Sequence, residues 1–295
     1  MEFTRKLLSQ LQDSGKDICI FSPEVSKLLY NFSYSDFDNF SRRSFYFWRE
    51  NKRPLPLSIS LKIMRENKLN KIKIDYFSVY GGNKIKFTDD KTLGFCYLLG
   101  LILGDGFLCV RKRGIRKNTY FMSIAFREES EAKKVGNLVL DLFDSKSFIY
   151  PGRGCYCLCV YSKPIVLILN KKYQIPIGKK YNSICIPKLI LEGNKKMKKA
   201  FLKGVFDSDG NLYSHRKRKA VQLRQKSEKF LRELKKLFND VNINFRDPYC
   251  DKANNSWVLW SSKKELIDNF IKKIIDFKVI SPLSSVWIER LPSKQ

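Results

Sequence analysis

Two segments constrain this chain more than anything else in it. LLGLILGDGFL runs from Leu98 to Leu108, and FLKGVFDSDGNL runs from Phe201 to Leu212. Each starts as a strongly apolar helix and ends on a carboxylate next to glycine. Asp105 and Asp209 are 209 − 105 = 104 residues apart. The pairing predicts one domain written twice, and the order of elements around each motif agrees. Each motif helix leads into a hairpin, a second helix, a second hairpin and a third helix, over about 91–194 and then 195–295. In the first half DGFLCVRK and NTYFMSIAF read as strands, then EESEAKKVGNLVLDLF as a helix, SFIY and CYCLCVY as strands and KPIVLILN as a helix. In the second half a helix ending at Asp207 precedes DGNLYSH, AVQLRQ, SEKFLRELKKLF, INFRDPY, SWVLWSS and KKELIDNFIKKIIDF. Ser130 and Ser227 stand where the N-caps of the two middle helices are expected.

Small residues say how the motif helices meet. Gly100 and Gly104 are four apart, as are Gly204 and Ser208, so each pair shares a helix face. Such faces let two backbones approach closely. The helices are therefore expected to pack side by side as the seam between the halves, with Asp105 and Asp209 together at its end. Two acids at helix C-termini repel, because the free carbonyls there are already negative. A hard divalent cation, magnesium (Mg²⁺) first, would relieve this, held by Asp105, Asp209 and the carbonyls of Gly104 and Ser208. Such an ion activates water for phosphodiester hydrolysis.

The charge fits that chemistry. Lys and Arg number 57 against 29 Asp and Glu, a net charge of +28, which favours a polyanion, nucleic acid above all. Basic residues gather at the two predicted hairpin tips: Arg111, Lys112, Arg113, Arg116 and Lys117 in one, Arg216, Lys217, Arg218 and Lys219 in the other. Those tips would line both arms of a concave sheet that straddles a duplex. The apolar run Leu93–Leu103 falls short of the ~20 residues of a bilayer span, and no signal peptide is evident. The expected setting is intracellular, cytoplasmic or nucleoid-associated, with no membrane partner. The single histidine, His215, excludes a His-rich metal site. No CxxC occurs among the eight cysteines, and Cys155, Cys157 and Cys159 alternate as one face of a strand, where they read as small core residues.

Residues 1–90 read as a separate, mostly helical region with the short basic helices of a possible helix-turn-helix, or else a helical cap. Within it, RPLPLSISLKIMREN alternates like a strand but ends like a helix.

LLGLILGDG and LKGVFDSDG together resemble the paired signature of the LAGLIDADG homing endonucleases, in the single-chain form carrying both copies. The likeness spans about residues 91–290. It implies an α+β fold of two pseudo-twofold-related αββαββα halves forming a DNA-binding saddle. It also implies Mg²⁺-dependent cleavage of both DNA strands across the minor groove, leaving short 3′ overhangs. The conserved acid of the family motif maps to Asp105 and Asp209. A solvent-positioning Gln maps to Gln225, with Glu128 at the matching place in the first half. A basic residue maps to Lys180, beside Lys179; Lys278 is the second-half candidate. Leu103 replaces the first Asp of the motif, which the second copy keeps as Asp207. Unequal halves imply a non-palindromic double-stranded target and a monomer. The alternatives are an RNA maturase acting on host intron RNA and a non-cleaving DNA-binding regulator.

One consequence follows from charge alone. If six to ten phosphates are neutralised, duplex affinity should fall about 10³-fold or more between roughly 50 and 200 mM salt. A filter-binding titration against salt measures this, and a flat response would remove the basic tips from the interface.

Overall fold

The computed structural model describes residues 2–12, 18–37, 40–79, 84–87, 92–113, 117–180, 183–215 and 218–279. The N-terminal region holds β1 (Glu2–Thr4), α1 (Arg5–Gln12), β2 (Ile18–Phe21), α2 (Pro23–Leu28) and α3 (Arg42–Arg49). It continues with β3 (Leu55–Pro56), α4 (Leu57–Glu66), β4 (Lys71–Lys73) and β5 (Tyr76–Val79). Helix predominates, but five short strands form a β1–β4 pair and a β3-β2-β5 sheet. The ambiguous RPLPLSISLKIMREN is β3 followed by a helix. Leu57, Ile59, Leu61 and Ile63 are all buried because most of the circumference of α4 is covered, Ser60 and Met64 included.

The first repeat comprises α5 (Leu93–Leu103), β6 (Gly106–Arg113), β7 (Lys117–Phe126), α6 (Glu129–Phe143), β8 (Phe148–Pro151), β9 (Tyr156–Tyr161) and α7 (Lys163–Tyr173). After a short α8 (Lys188–Leu191) come α9 (Lys195–Asp209), β10 (Gly210–His215), β11 (Arg218–Gln225) and α10 (Glu228–Asp240). The second repeat ends with β12 (Tyr249–Asp251), β13 (Ser256–Ser261) and α11 (Lys264–Phe270), which runs into a π-helical turn at Ile271–Ile275. Both antiparallel sheets have the same spatial order, β6-β7-β9-β8 and β10-β11-β13-β12. The fold is α+β with a repeated αββαββα plan. No helix among the described residues is long and apolar enough to cross a membrane.

Three local expectations need correction. The N-cap of α6 is Glu128 with extended backbone, and Ser130 lies exposed inside the first turn; Ser227 does cap α10, accepting from the Phe230 amide. The strand expected at INFRDPY is confined to Tyr249–Asp251. Ile243 and Phe245 are buried in the core instead of pairing, and Pro248 has no N–H to give a ladder. Of the alternating cysteines, Cys157 and Cys159 share the face of β9 turned away from the helices, where Cys159 is buried as expected and Cys157 only half-buried, and Cys155 precedes the strand. Leu158 and Val160, both fully buried, take the helix-packed side of β9, because the larger aliphatic side chains fill that layer.

The core is centred on α5 and α9, which pack against each other more extensively than any other two described elements. A Cβ on Gly100 would run into the Phe201 carbonyl oxygen and lie 3.0 Å from the Gly204 Cα. One on Gly204 would collide with the Tyr97 carbonyl oxygen and sit 3.0 Å from the Leu101 amide. The two backbones therefore touch, as the small-residue spacing predicts. Tyr97 of α5 also donates a 2.8 Å hydrogen bond to Asp207 of α9. Lys203 lies 3.4 Å from the same carboxylate and 3.2 Å from the Ile275 carbonyl. Leu103, on the other helix, is fully buried.

Gly100→Ala should destabilise the fold by at least the upper end of the ~1–3 kcal/mol range for overpacking, since backbone cannot yield as a side chain can. Gly94→Ala in the same helix meets only the Leu138 side-chain tip, and gains up to about 1 kcal/mol of helix propensity. Urea unfolding of the two variants measures the contrast.

Candidate active site

The seam ends in a pocket of about 550 Å³ shared by both repeats and lined by Gly104, Asp105, Lys180, Ile184, Asp209, Arg224, Gln225, Lys226, Ser227, Asn254 and Ser256. Asp105 stands just beyond the end of α5, exposed at the pocket. Asp209 is the last residue of α9, which runs two residues further than its sequence suggested, and is half-buried. A Cβ on Gly104 would overlap the Ser208 hydroxyl and lie 2.8 Å from Asp209 Oδ2. The second acid therefore sits directly against the end of the first helix. The Ser208 hydroxyl turns back to donate to the Gly204 and Val205 carbonyls at 3.0 and 2.9 Å, so its side chain belongs to the seam.

Lys180 is delivered by the segment after α7. Gln174 ends that helix in the left-handed region, and Gly178, at φ +84°, gives its amide to the Leu108 carbonyl at 2.8 Å. Buried Ile175, Ile184 and Ile186 anchor the segment on both sides. The Lys180 ammonium then reaches the carbonyls of Ile102 at 3.2 Å, Leu103 at 2.9 Å and Gly106 at 2.7 Å, and also that of Gly104. Those of Ile102 and Leu103 are orphan carbonyls of the α5 C-terminus, where a cation is favoured, while Gly104 caps the helix and Gly106 opens β6. The Gly104 carbonyl expected to ligate a metal is thus occupied by an ammonium group. Lys179 and Lys278 are exposed and absent from the pocket lining.

Gln225 closes β11 and donates from Nε2 to Asp209 Oδ2. Its counterpart in the first half follows from register. Gly106 pairs with Ile124 and Gly210 with Leu223, so two residues further on, Phe126 matches Gln225. Glu128 lies beyond that point, exposed at the start of α6 and outside the pocket lining. The halves therefore differ at this register position. Arg224 escaped sequence reasoning. Its guanidinium donates to Asp251 at 2.6 Å and to Ser256 at 3.1 Å. The alternation of polar Gln222 and Arg224 with buried Val221 and Leu223 was the available signal.

Of the hairpin cations, Arg111, Lys112 and Lys219 are exposed. Arg113, Lys117 and Arg218 are fixed in strand register, Arg113 opposite Lys117 and Arg218 opposite His215. Arg116, Arg216 and Lys217 lie outside the described residues.

Burial and the charge of Asp105 push Asp209 up to about 7, against the lowering effects of Lys180 and Gln225. Burial also raises Asp105, which Lys180 partly offsets. Burial lowers Lys180, opposed by both acids. Two crowded carboxylates and one ammonium are left short of positive charge, which suits a hard cation. Among the described residues no group of three or more His, Cys, Asp and Glu side chains could hold a metal. A cation here would take Asp105 and Asp209 and complete its shell with water and phosphate oxygens, as Mg²⁺ does.

Residues 196–274 match the profile of the LAGLIDADG-like domain. The replication factor C small subunit of Methanocaldococcus jannaschii is 32% identical over 145 residues, 44% of this chain, and the chain spans 7% of that protein's length. The crystal structure of I-DmoI in complex with DNA and Mn superposes with a TM-score of 0.51 at 22% identity, covering 64% of this chain and 98% of that one. Mesophilic variants of the homing endonuclease I-DmoI superpose with a TM-score of 0.53 at 21% identity, covering 68% and 100%. The chain has the LAGLIDADG fold in its two-motif form.

A carboxyl group whose pKa rises from 3.8 to about 7 on folding binds more protons folded than unfolded in that window. Its contribution to stability therefore falls as pH climbs through it. With EDTA present, the melting temperature of Asp209→Asn relative to the parent should rise from pH 5 to pH 8, by about 2–4 °C for each kcal/mol relieved. Melting curves across that range test it, and a constant difference would remove the strain.

Proposed function

We propose that this protein is a site-specific, homing-type DNA endonuclease that hydrolyses one phosphodiester in each strand of a non-palindromic duplex, using divalent cations, with Mg²⁺ the natural choice. The observation that carries this reading is the meeting of Asp105 and Asp209 in one pocket at the end of the helix pair, on a chain of net charge +28. The DNA and Mn named for the I-DmoI complex of the same fold support it. Cleavage across the minor groove with short 3′ overhangs, and action as a monomer, complete the proposal, since both motif helices lie in one chain.

When bound, the cation would lower the pKa of a water and offset charge on the leaving oxygen. Asp105 and Asp209 would hold it and orient it toward the phosphate. Gln225, already donating to Asp209, would fix that carboxylate and present its amide oxygen to the attacking water. Lys180 holds positive charge beside both acids and limits their mutual repulsion before DNA arrives. Its ammonium is also placed to donate to phosphate or solvent oxygen once released from a carbonyl. The first half lacks a glutamine at the register position of Gln225, so the two strands should be cut at unequal rates. A regulator that only binds would gain nothing from two crowded carboxylates facing phosphate.

Asp105→Asn and Asp209→Asn should each abolish double-strand cleavage while duplex binding in Ca²⁺ stays equal or tightens. Each removes the charge that holds the cation and a negative group facing phosphate. The measurements are cleavage of a randomised duplex library with Mg²⁺, binding with Ca²⁺, and a melting curve for each variant. Full cleavage by either variant would refute the two-acid mechanism.

A further inference from the structure

Four arginines cluster in the N-terminal region, on α3 and just after it, and the pocket at the seam uses none of them. The stretch SRRSFYFWRENKR, Ser41 to Arg53, carries Arg42, Arg43, Arg49, Lys52 and Arg53 against the single acid Glu50. Lys52 already meets Glu50 at 2.6 Å. In the second repeat, by contrast, arginines are ion-paired, Arg224 with Asp251 at 2.6 Å and Arg232 with Glu228 at 2.7 Å. Around α3 the described residues give the guanidiniums aromatic rings instead. Arg43 lies 5.4 Å and Arg53 4.5 Å over Phe47, Arg42 lies 6.0 Å over Tyr46, and Arg49 lies 4.3 Å over Tyr30.

Arg42, Phe45, Tyr46 and Arg49 stand at i, i+3, i+4 and i+7 of α3, so they share one helix face. Facing it is the 3₁₀ turn Tyr34–Asp36. The Ser33 amide donates to Asp36 Oδ2 at 2.6 Å and the Tyr34 hydroxyl to the Phe40 carbonyl at 2.7 Å, which fixes that turn and engages its acid. Between turn and helix lies a pocket of about 300 Å³, with Ser33, Tyr34, Arg42, Phe45, Tyr46 and Arg49 in its walls and no carboxylate. Arg49 is held most firmly, with Phe45 at 5.6 Å as a second ring. Its Nε is the one buried side-chain nitrogen or oxygen among the described residues with no hydrogen-bond partner. A buried donor left unpaired costs stability, and a ligand oxygen in the pocket would remove that cost. Rings against the flat of a guanidinium leave its edge donors free, and that planar fork is what grips phosphate.

We infer that this face of α3 is a second polyanion site, which takes backbone phosphates of duplex DNA beyond the stretch held by the two repeats. The inference rests on the duplex-cleaving function proposed above and lengthens its footprint. Two guanidiniums in one pocket, without an acid, select an anion, and the field of a chain at +28 favours nucleic acid. Unpaired bases, in a single strand or an RNA loop, would need free ring faces to stack on. Here guanidiniums cover ring faces and turn their own edges outward, which suits the phosphates of a paired duplex. The N-terminal region is also fixed to the first repeat. Phe87 packs on Phe143 of α6 at 5.0 Å, the Lys86 amide donates to the Phe143 carbonyl at 3.0 Å, and Lys172 of α7 lies 5.5 Å over Phe3 of β1. The added contact therefore falls on one flank of the target, the one on the side of the first repeat.

The test uses the full chain and a duplex selected from a randomised library by binding in Ca²⁺. That duplex is trimmed to the shortest form still bound, then extended by one helical turn, about 10 base pairs, on each side separately. Extension on one side only should tighten binding by the parent protein. On that extended duplex, Arg42→Gln combined with Arg49→Gln removes two phosphate contacts. The slope of log affinity against log salt should then shrink by about 1.8, and the loss between roughly 50 and 200 mM salt should be about tenfold smaller. On the shortest duplex the variant and the parent should bind alike. Because Arg49 is half-buried, the exposed Arg42 is also changed alone; Arg42→Gln should keep the parent melting temperature and shrink the slope by about 0.9. Lys133→Gln is the control, since Lys133 pairs with Glu129 along α6, and it should leave the slope as it is. Equal binding by parent and variants on every duplex overturns the inference, and so does a loss that is the same on the shortest duplex. A structured RNA hairpin held through the same arginines more tightly than the extended duplex overturns it in favour of RNA. Failure to select any duplex refutes the functional reading and this inference with it.

Discussion

The backbone contact between α5 and α9 is the constraint on which the rest depends. Gly100 and Gly204 lie so close that neither position has room for a methyl group. That approach joins two repeats whose sheets would otherwise be separate units, and it fixes the spacing of whatever the helix ends carry. Glycine packing sets distance but leaves sliding along the helices cheap. The Tyr97–Asp207 hydrogen bond, with Lys203 buried beside it, supplies the missing register. A buried polar network of this kind favours one alignment because every other takes the Tyr97 hydroxyl away from Asp207. The first Asp of the second motif therefore belongs to the seam and the last one to the site.

From that seam the electrostatics of the pocket follow. Helix ends supply negative carbonyls, and two carboxylates are added to them. Lys180 answers part of the charge by bridging the last carbonyls of α5 to that of Gly106 at the start of β6, yet Asp209 still sits near 7. The site is built with a shortage of positive charge, and a cation arriving with phosphate would make it up. The two sides are also unequal: Gln225 supports one acid, and the matching register position in the first half is Phe126.

Much of this was legible in the residues. The repeat, the order of elements and the small-residue seam follow from periodicity and spacing, because a glycine at every fourth position of a greasy helix has few other uses. The pairing of Asp105 with Asp209 followed from the seam. Other features needed three dimensions. Alternation grouped Cys157 and Cys159 on one face but could not say which face meets the helices; Leu158 and Val160 decided that by filling the core. Glu128 was matched to Gln225 by counting along the chain, whereas ladder register gives Phe126. The N-terminal strands span two to four residues each, too short for any alternation to register. The carbonyl cluster around Lys180 depends on a loop whose path is set by Gly178 and three buried isoleucines.

The central claim is that the seam brings both acids to one metal centre. Anomalous diffraction at the manganese edge, from crystals of the full chain grown with duplex DNA and Mn²⁺, tests it most directly. The arrangement predicts anomalous peaks within coordination distance of the carboxylates of both Asp105 and Asp209. Peaks elsewhere, with those carboxylates still facing only Lys180 and Gln225, would contradict it.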